Sequence, residues 1–302
     1  MNLAALRLRR WPRRLVSAAA IGCCLVPATG CVESDAVSKF ATQAHDALNL
    51  GQPVLEDLEG SCMRAHMIKA AVAVPPGTNQ LFDANLRTEA ANDPVCSAYA
   101  QAQPGELAIL KVLTDYFGAL SQLAATGTSA TGKDSSASAD KAKSSSPTEE
   151  QNAVAAAQGL AAFLGKVASN GYRERELEKA VQGQKGNVDA VIAALRDIVQ
   201  NRYEDNQLVR EKQEITDADG KLLPNADDAT KALFRVQWQR SMDEIEKKHA
   251  AADAFLKALD KMQQGYDALC GASSLKAKDL PSLVQPYTDS IQSLIPSIEK
   301  AL

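Results

Sequence analysis

Residues 238–270, WQRSMDEIEKKHAAADAFLKALDKMQQGYDALC, decide how this chain is built. Trp238, Met242, Ile245, His249, Ala252, Leu256, Leu259, Gln263, Tyr266 and Cys270 recur at intervals of four and three, the spacing that returns side chains to one stripe of an α-helix. Ten positions in one register predict a coiled-coil-like seam. A helix from about Asp227 to Cys270 is about 65 Å long. Upstream, Val188, Ile192, Leu195 and Val199 begin a second stripe that turns polar around Glu204 to Glu214. The simplest geometry is an antiparallel helical hairpin over residues 187–270, projecting from a bundle. Its tip, Ile215 to Asp228, contains Asp219-Gly220, which predicts a tight turn flanked by short extended pieces.

Working outward, Val37, Phe40, Ala44, Ala47, Val54, Leu58, Cys62 and Ala65 make another helical stripe. Gly51 and Pro53 interrupt it without changing its phase, which predicts a kink or two abutting helices, and Pro75-Pro76-Gly77 ends it. From Pro75 to Pro104 no period is sustained, so an excursion with one or two short helical turns is expected. A helix then starts at Pro104 and carries Leu107, Leu110, Leu113, Phe117, Leu120 and Leu123 over a broad face, which predicts a central place in the core.

Residues 127–145, GTSATGKDSSASADKAKSS, hold nothing large and apolar and read as a disordered insertion. Ser146-Pro147-Thr148-Glu149 is a capping box that opens a helix with Val154, Leu160, Phe163, Leu164 and Val167. Gly183 and Gly186 mark a joint before the hairpin, and Leu280 to Leu302 is a last helical segment broken by Pro281, Pro286 and Pro296. The expected fold is all-α, an elongated helical bundle with a long hairpin. Its parts are residues 1–30, an N-terminal helical segment 31–126, the insertion 127–145 and a C-terminal helical segment 146–302.

Alanine supplies much of the 45% hydrophobic content, with 52 residues against a 5% aromatic share. The first thirty residues read as an export signal. Arg7, Arg9, Arg10, Arg13 and Arg14 precede a short apolar run from Leu15 to Val26, below the roughly 18 residues a spanning helix needs. Those five arginines are drawn from 33 Lys+Arg, and none of the 37 Asp+Glu lies there, so the remainder carries a formal charge of −9. An acidic chain of this kind is not expected to bind nucleic acid.

Ala28-Thr29-Gly30-Cys31 resembles the lipobox of bacterial lipoproteins, with Ala28 where that family usually has Leu; Ala20-Ile21-Gly22-Cys23 is the alternative box. The resemblance implies cleavage before Cys31, acylation of that cysteine and a membrane anchor. Because Val32, not Asp, follows, it also implies the periplasmic face of the outer membrane. Of the remaining cysteines, Cys62 and Cys96 are the first choice for a disulfide in an oxidising compartment, with a bond to Cys270 as the alternative.

Motifs for chemistry are sparse. Asp217, Asp219 and Asp227 suggest a calcium loop, but Lys221 occupies a ligand position and no closing Glu follows. His45, His66 and His249 have no metal-ligand spacing among themselves. No nucleophile elbow, P-loop or zinc-protease motif occurs. Glu149-Glu150 and Asp227-Asp228 are placed at helix starts, where acids complement the dipole. Arg173 to Glu176 and Glu204 to Glu214 read as solvated faces. No catalytic residue, cofactor or metal is expected. The leading expectation is a non-catalytic, lipid-anchored envelope protein that binds or scaffolds a protein partner. A carrier with a hydrophobic pocket among residues 35–126 and 146–182 is the alternative, and a cell-wall hydrolase comes third.

Overall fold

The computed structural model of the chain describes residues 31–73, 85–127, 129, 135–146, 150–170, 174–272, 275 and 278–301. Several sequence readings lie outside these residues: the signal and small residues before Cys31, Pro75-Pro76-Gly77, Pro147 to Glu149 of the capping box, and the side chains of Arg173 to Glu176. Among the described residues there is no strand, and the fold is all-α. Its helices are α1 (Cys31–Ala73), α2 (Asn85–Asn92), α3 (Pro94–Thr126), α4 (Ser135–Ser145), α5 (Gln151–Asn170) and α6 (Glu174–Asp197). A π-helical stretch (Ile198–Leu208) continues α6 directly into α7 (Val209–Leu222); α8 (Asp228–Gly271) and α9 (Leu280–Ala301) follow.

Helix α1 is the axis of the molecule. It packs on α3 along one side, on α8 and α9 along another, and on α7 over its C-terminal part. Helices α4 and α5 join α3 to α6 and complete the body. The hydrophobic centre is aromatic despite the low aromatic content. Phe40, Tyr116, Phe117 and Tyr266 are fully buried, and Phe117 meets the rings of Phe40, Tyr116 and Tyr266 edge-on at 6.0, 5.6 and 6.0 Å. Such pairs contribute about 0.5–1.5 kcal/mol each beyond their buried area. The Tyr116 and Tyr266 hydroxyls lie 2.6 Å apart, and Tyr266 donates to the Val181 carbonyl at 2.7 Å, so neither polar tip is left unpaired in the core.

Two glycines bring α1 and α8 together. The Phe255 ring of α8 lies against Gly51 of α1, and the Phe40 ring of α1 lies against Gly265 of α8; a Cβ at either glycine would overlap the ring. The two helices therefore run antiparallel in a fixed register. Asp57 beside Lys248 continues it, and Ile68 and Gln237 line one recess further along.

The predicted hairpin exists and its second arm, α8, has the expected length, but the first arm is longer and both are less free than expected. Gly183 and Gly186 lie inside α6, so the first arm is one rod from Glu174 to Leu222. Asp219-Gly220 lies inside α7; the reversal is made by a 3₁₀ turn, Leu223–Asn225, before Asp227 caps α8 by accepting the Thr230 N–H at 2.9 Å. The C-terminal part of α1 packs against both arms, so the hairpin does not project alone.

Other boundaries also move. Helix α1 is continuous through Gly51 and Pro53, and α9 is continuous through Pro286 and Pro296. Helix α3 starts ten residues before Pro104, because Pro94 fits a first helical position and Asp93 accepts the N–H groups of Val95 and Cys96 at 3.0 and 3.2 Å. It ends at Gly127, whose φ of 73° is left-handed.

The insertion read as disordered carries α4. Ser135, Ala139 and Ala142 bury a stripe of small side chains, and Ser135 Oγ donates to Asp115 at 3.0 Å, so close approach replaces bulk as the source of burial. Cys62 and Cys96 form the predicted disulfide across 34 residues, tying α1 to α3. Cys270 is a free thiol and is half-buried.

Candidate functional site

Within the polar stretch Glu204 to Glu214, Asp205, Asn206, Lys212 and Gln213 face solvent as expected, but Gln207 and Glu211 are buried. The π-helical turn and the start of α7 direct four polar side chains inward, each to a different partner. Arg202 meets Glu106 and Glu150, Tyr203 donates to Asp57 at 2.8 Å, Gln207 donates to the Tyr99 hydroxyl at 2.9 Å, and Glu211 accepts from Ser61 at 2.7 Å. A π-turn shifts the helical phase, so neighbouring residues that an α-helix would spread around its surface all find interior partners.

One cluster is a charge-balanced layer joining α1, α7 and α8. Arg64 bridges Asp57, at 2.8 and 2.7 Å, and Glu211, at 2.5 and 3.0 Å, while Lys248 stands 3.3 Å from Asp57. Burial pushes Asp57 up, but the hydrogen bonds and charge of Arg64, the Lys248 charge and the Tyr203 hydrogen bond outweigh it and hold the carboxyl below its ordinary range. Burial and the Asp57 charge push the Tyr203 phenol up, so it stays a donor. The Arg64–Asp57 pair lies within α1, while Glu211, Tyr203 and Lys248 tie it to α7, the π-helical stretch and α8, so the layer fixes their register.

The second cluster is not balanced. Arg202 Nη1 lies 3.0 Å from Glu106 and 2.7 Å from Glu150, placing two buried carboxylates on one guanidinium. Burial and the Glu150 charge, opposed by Arg202, push Glu106 up to about 7. Burial also raises Glu150 against the pull of Arg202. Glu150 stands at the start of α5, as expected, but it is buried and faces Arg202. This pair can hold a proton near neutral pH. Glu106 is 0% exposed, so the proton is a structural one.

Other reactive side chains are engaged. The half-buried Cys270 thiol is pushed up to about 11, by burial first and then by Asp267 and Asp189 against Lys185, so it remains protonated. Cys62, Cys96 and Asp93 cluster with metal-like spacing, but the two sulfurs are bonded to each other and Asp93 caps α3. His66 stands 3.4 Å from Asp93, His249 stands 3.5 Å from Glu204, and His45 packs on Gly118.

Beyond the charge-balanced layer, one turn further from the body, an apolar recess of about 250 Å³ opens. Ile68 and Val72 come from α1, Ile215, Ala218 and Leu222 from α7, and Phe234 and Trp238 from α8. The indole N–H of Trp238 is buried there without an acceptor. Leu222, which lines the recess, is exposed at 40%, and Leu233 and Val236 on the same stretch of α8 as Phe234 are exposed at 74 and 53%. From Thr230 to Met242, α8 carries Lys231, Arg235 and Arg240 and no acid, whereas α7 from Glu214 to Lys221 carries three acids and one lysine.

Sequence reading located this element, the hairpin, but not the polar layer or the recess. Cys31 lies at the first position of α1, the opposite end of that helix from Ile68 and Val72. Among the described residues α3 alone is long and apolar enough to cross a membrane, and it is largely buried in the bundle. No known family, curated protein or solved structure matches this chain.

Proposed function

We propose that this chain is a lipid-anchored protein of the cell envelope, held through Cys31 at the periplasmic face of the outer membrane, that acts by binding protein and not by catalysis. The observation that carries the reading is the exposed apolar end of the hairpin. Val95, Val209 and Leu283 are exposed singly elsewhere; here Leu233 and Val236 face water on adjacent turns of α8, next to an open recess to which Leu222 contributes. Exposed apolar groups gathered in one place mark an interaction surface. Helix α1 supports the reading by its length, because about 37 residues separate Cys31 from Ile68 and place the recess about 55 Å from the anchor.

The lipobox supports the anchor, and an acylated cysteine at the start of a long helix holds the far end at a defined height above the membrane. The apolar lining of the recess favours a second reading, carriage of a small hydrophobic ligand. Its volume of about 250 Å³ is below the roughly 300–1,000 Å³ of ordinary ligand pockets, which suits a protein side chain better.

The test is crosslinking mass spectrometry on intact cells that express the full-length chain. The expected result is an acylated Cys31 and intermolecular crosslinks concentrated on residues 187–270. Crosslinks confined to single chains, with a small molecule copurifying, would move the assignment to the carrier.

A further inference from the structure

We propose that the Cys62–Cys96 disulfide is one of two states of the tie between α1 and α3, and that on reduction Cys62, His66, Asp93 and Cys96 together hold one zinc ion. The inference does not depend on the binding role proposed above. Local structure supplies the four ligands as two pairs. Cys62 and His66 are four residues apart in α1, one turn along the same face. Asp93 and Cys96 are the cap and the third residue of α3. The fold then brings the pairs together. One donor atom from each of Cys62, Asp93 and Cys96 lies within 4.8 Å of the other two, and His66 Nδ1 stands 3.4 Å from Asp93 Oδ2.

A disulfide accounts for the two sulfurs but not for the other two groups. His66 Nδ1 is buried and makes no hydrogen bond, although it faces a carboxylate oxygen. Its 3.4 Å from Asp93 is longer than the roughly 2.7–3.2 Å of an ordinary N–H···O bond. It is the edge of a tetrahedron whose nitrogen and oxygen ligands stand about 2.0–2.1 Å from one zinc ion. Asp93 divides its oxygens: Oδ1 accepts the Val95 and Cys96 N–H groups, which fixes the carboxylate, and Oδ2 is turned to His66. Capping thus gives the carboxylate the outer support that metal ligands need. The donor set selects the ion. Two thiolates, an imidazole and a carboxylate suit zinc, whereas calcium and magnesium take oxygen ligands. Cys62 and Cys96 are buried while His66 and Asp93 remain partly exposed, so an ion has a way in. Three anionic ligands on Zn²⁺ leave one net negative charge, which is offset by Arg210, close enough for its charge to act on Asp93.

The exchange between the two states balances. A dithiol reductant passes two electrons and two protons to the sulfur–sulfur bond and becomes a disulfide itself; zinc then displaces both thiol protons into solvent. In reverse, a disulfide oxidant takes two electrons from the thiolates, its own sulfurs leave as thiols with two protons from solvent, and the ion is released. Either state joins α1 to α3 at the same place.

The test uses the full-length chain in mild detergent, oxidised or reduced with a phosphine that adds no competing thiol, and titrated with Co²⁺ as a spectroscopic substitute for zinc. Reduced wild type is expected to bind one Co²⁺ per chain with a thiolate-to-cobalt charge-transfer band and the intense visible bands of a tetrahedral site, all removed by one equivalent of Zn²⁺. Oxidised wild type and Cys62→Ser/Cys96→Ser are expected to show none of these bands, and Cys270→Ser is expected to bind as wild type does. His66→Gln and Asp93→Asn are each expected to weaken zinc at least about tenfold. Asparagine still caps α3, so weaker binding there is not a failure to fold, and matched helical circular dichroism checks both variants. Absence of the bands from reduced wild type would overturn the inference. So would their persistence in Cys62→Ser/Cys96→Ser, their loss in Cys270→Ser, or wild-type affinity in both His66→Gln and Asp93→Asn, since the ion would then be held elsewhere or by sulfur alone.

Discussion

Helix α8 is one uninterrupted rod with one seam, yet its two halves live in different surroundings. From Ile245 to Leu269 it buries Phe255, Leu259, Met262 and Tyr266 against α1, α6 and α9. From Asp228 to Ser241 the helix continues, but among the described residues α1 and α7 are the helices that line the recess beside it, and Leu233 and Val236 are exposed. A periodic stripe announces that a face is meant to be covered; it does not say by what. In the proximal half the cover is this chain's own body. In the distal half it is incomplete, and the charge-balanced layer of Asp57, Arg64, Glu211 and Lys248 marks the boundary between the two.

The widest contrast expected between the halves is in stability. Phe255→Ala empties a fully buried site and should cost about 3–5 kcal/mol, whereas Phe234→Ala, in the half-exposed recess, should cost below about 1.5 kcal/mol, both read by denaturant unfolding at pH 7. Equal costs would erase the distinction. Arg202→Met should fall in the same upper range, about 3–5 kcal/mol, because it strands Glu106 and Glu150 in the body without their counter-charge.

The Glu106 carboxyl gives a pH signature of the body. Its proton is held in the folded chain to about pH 7 and in the unfolded chain only to its ordinary 4.5. Between those values the folded state binds more protons, so the contribution of this group to stability falls as pH rises from about 4.5 to about 7 and is level above. The loss is of order 3 kcal/mol. Glu106→Gln should reduce that slope, leaving the part that the raised Glu150 contributes, and make the chain more stable than wild type at pH 8; an undiminished slope in the variant would contradict the assignment. The smallest effect belongs to the distal half. Leu233→Ser, at 74% exposure, should change stability by no more than about 0.5 kcal/mol while weakening the intermolecular crosslinks of the distal half.

The sequence shows why one half of this picture was readable and the other was not. The α8 seam, the α1 stripe and the Cys62–Cys96 bond follow from spacing and compartment, and all three are in the structure. Asn92-Asp93-Pro94 was a readable helix start that the lack of periodicity beyond it obscured. Helix α4 was hidden because Ser135, Ala139 and Ala142 bury little area each and pack through close approach, which composition does not register. The inward turn of Arg202, Tyr203, Gln207 and Glu211 depends on a π-helical phase shift. A polar run read at the ordinary helical period points such residues at solvent. The recess was illegible because it is defined by three helices ending together, a matter of relative length and register.

Trp238 offers a direct probe of that region, since the only other tryptophan, Trp11, lies among the first thirty residues. Its emission should shift to shorter wavelength when the surface is covered.

The central claim is that the distal end of the hairpin is the binding element of this protein. The most direct measurement places a photo-crosslinking residue at Leu233, and separately at Lys257 on the exposed side of the proximal half, in the full-length chain in living cells. The account predicts a discrete protein adduct from position 233 and none from position 257. Adducts from position 257 alone, or from neither position, would contradict it.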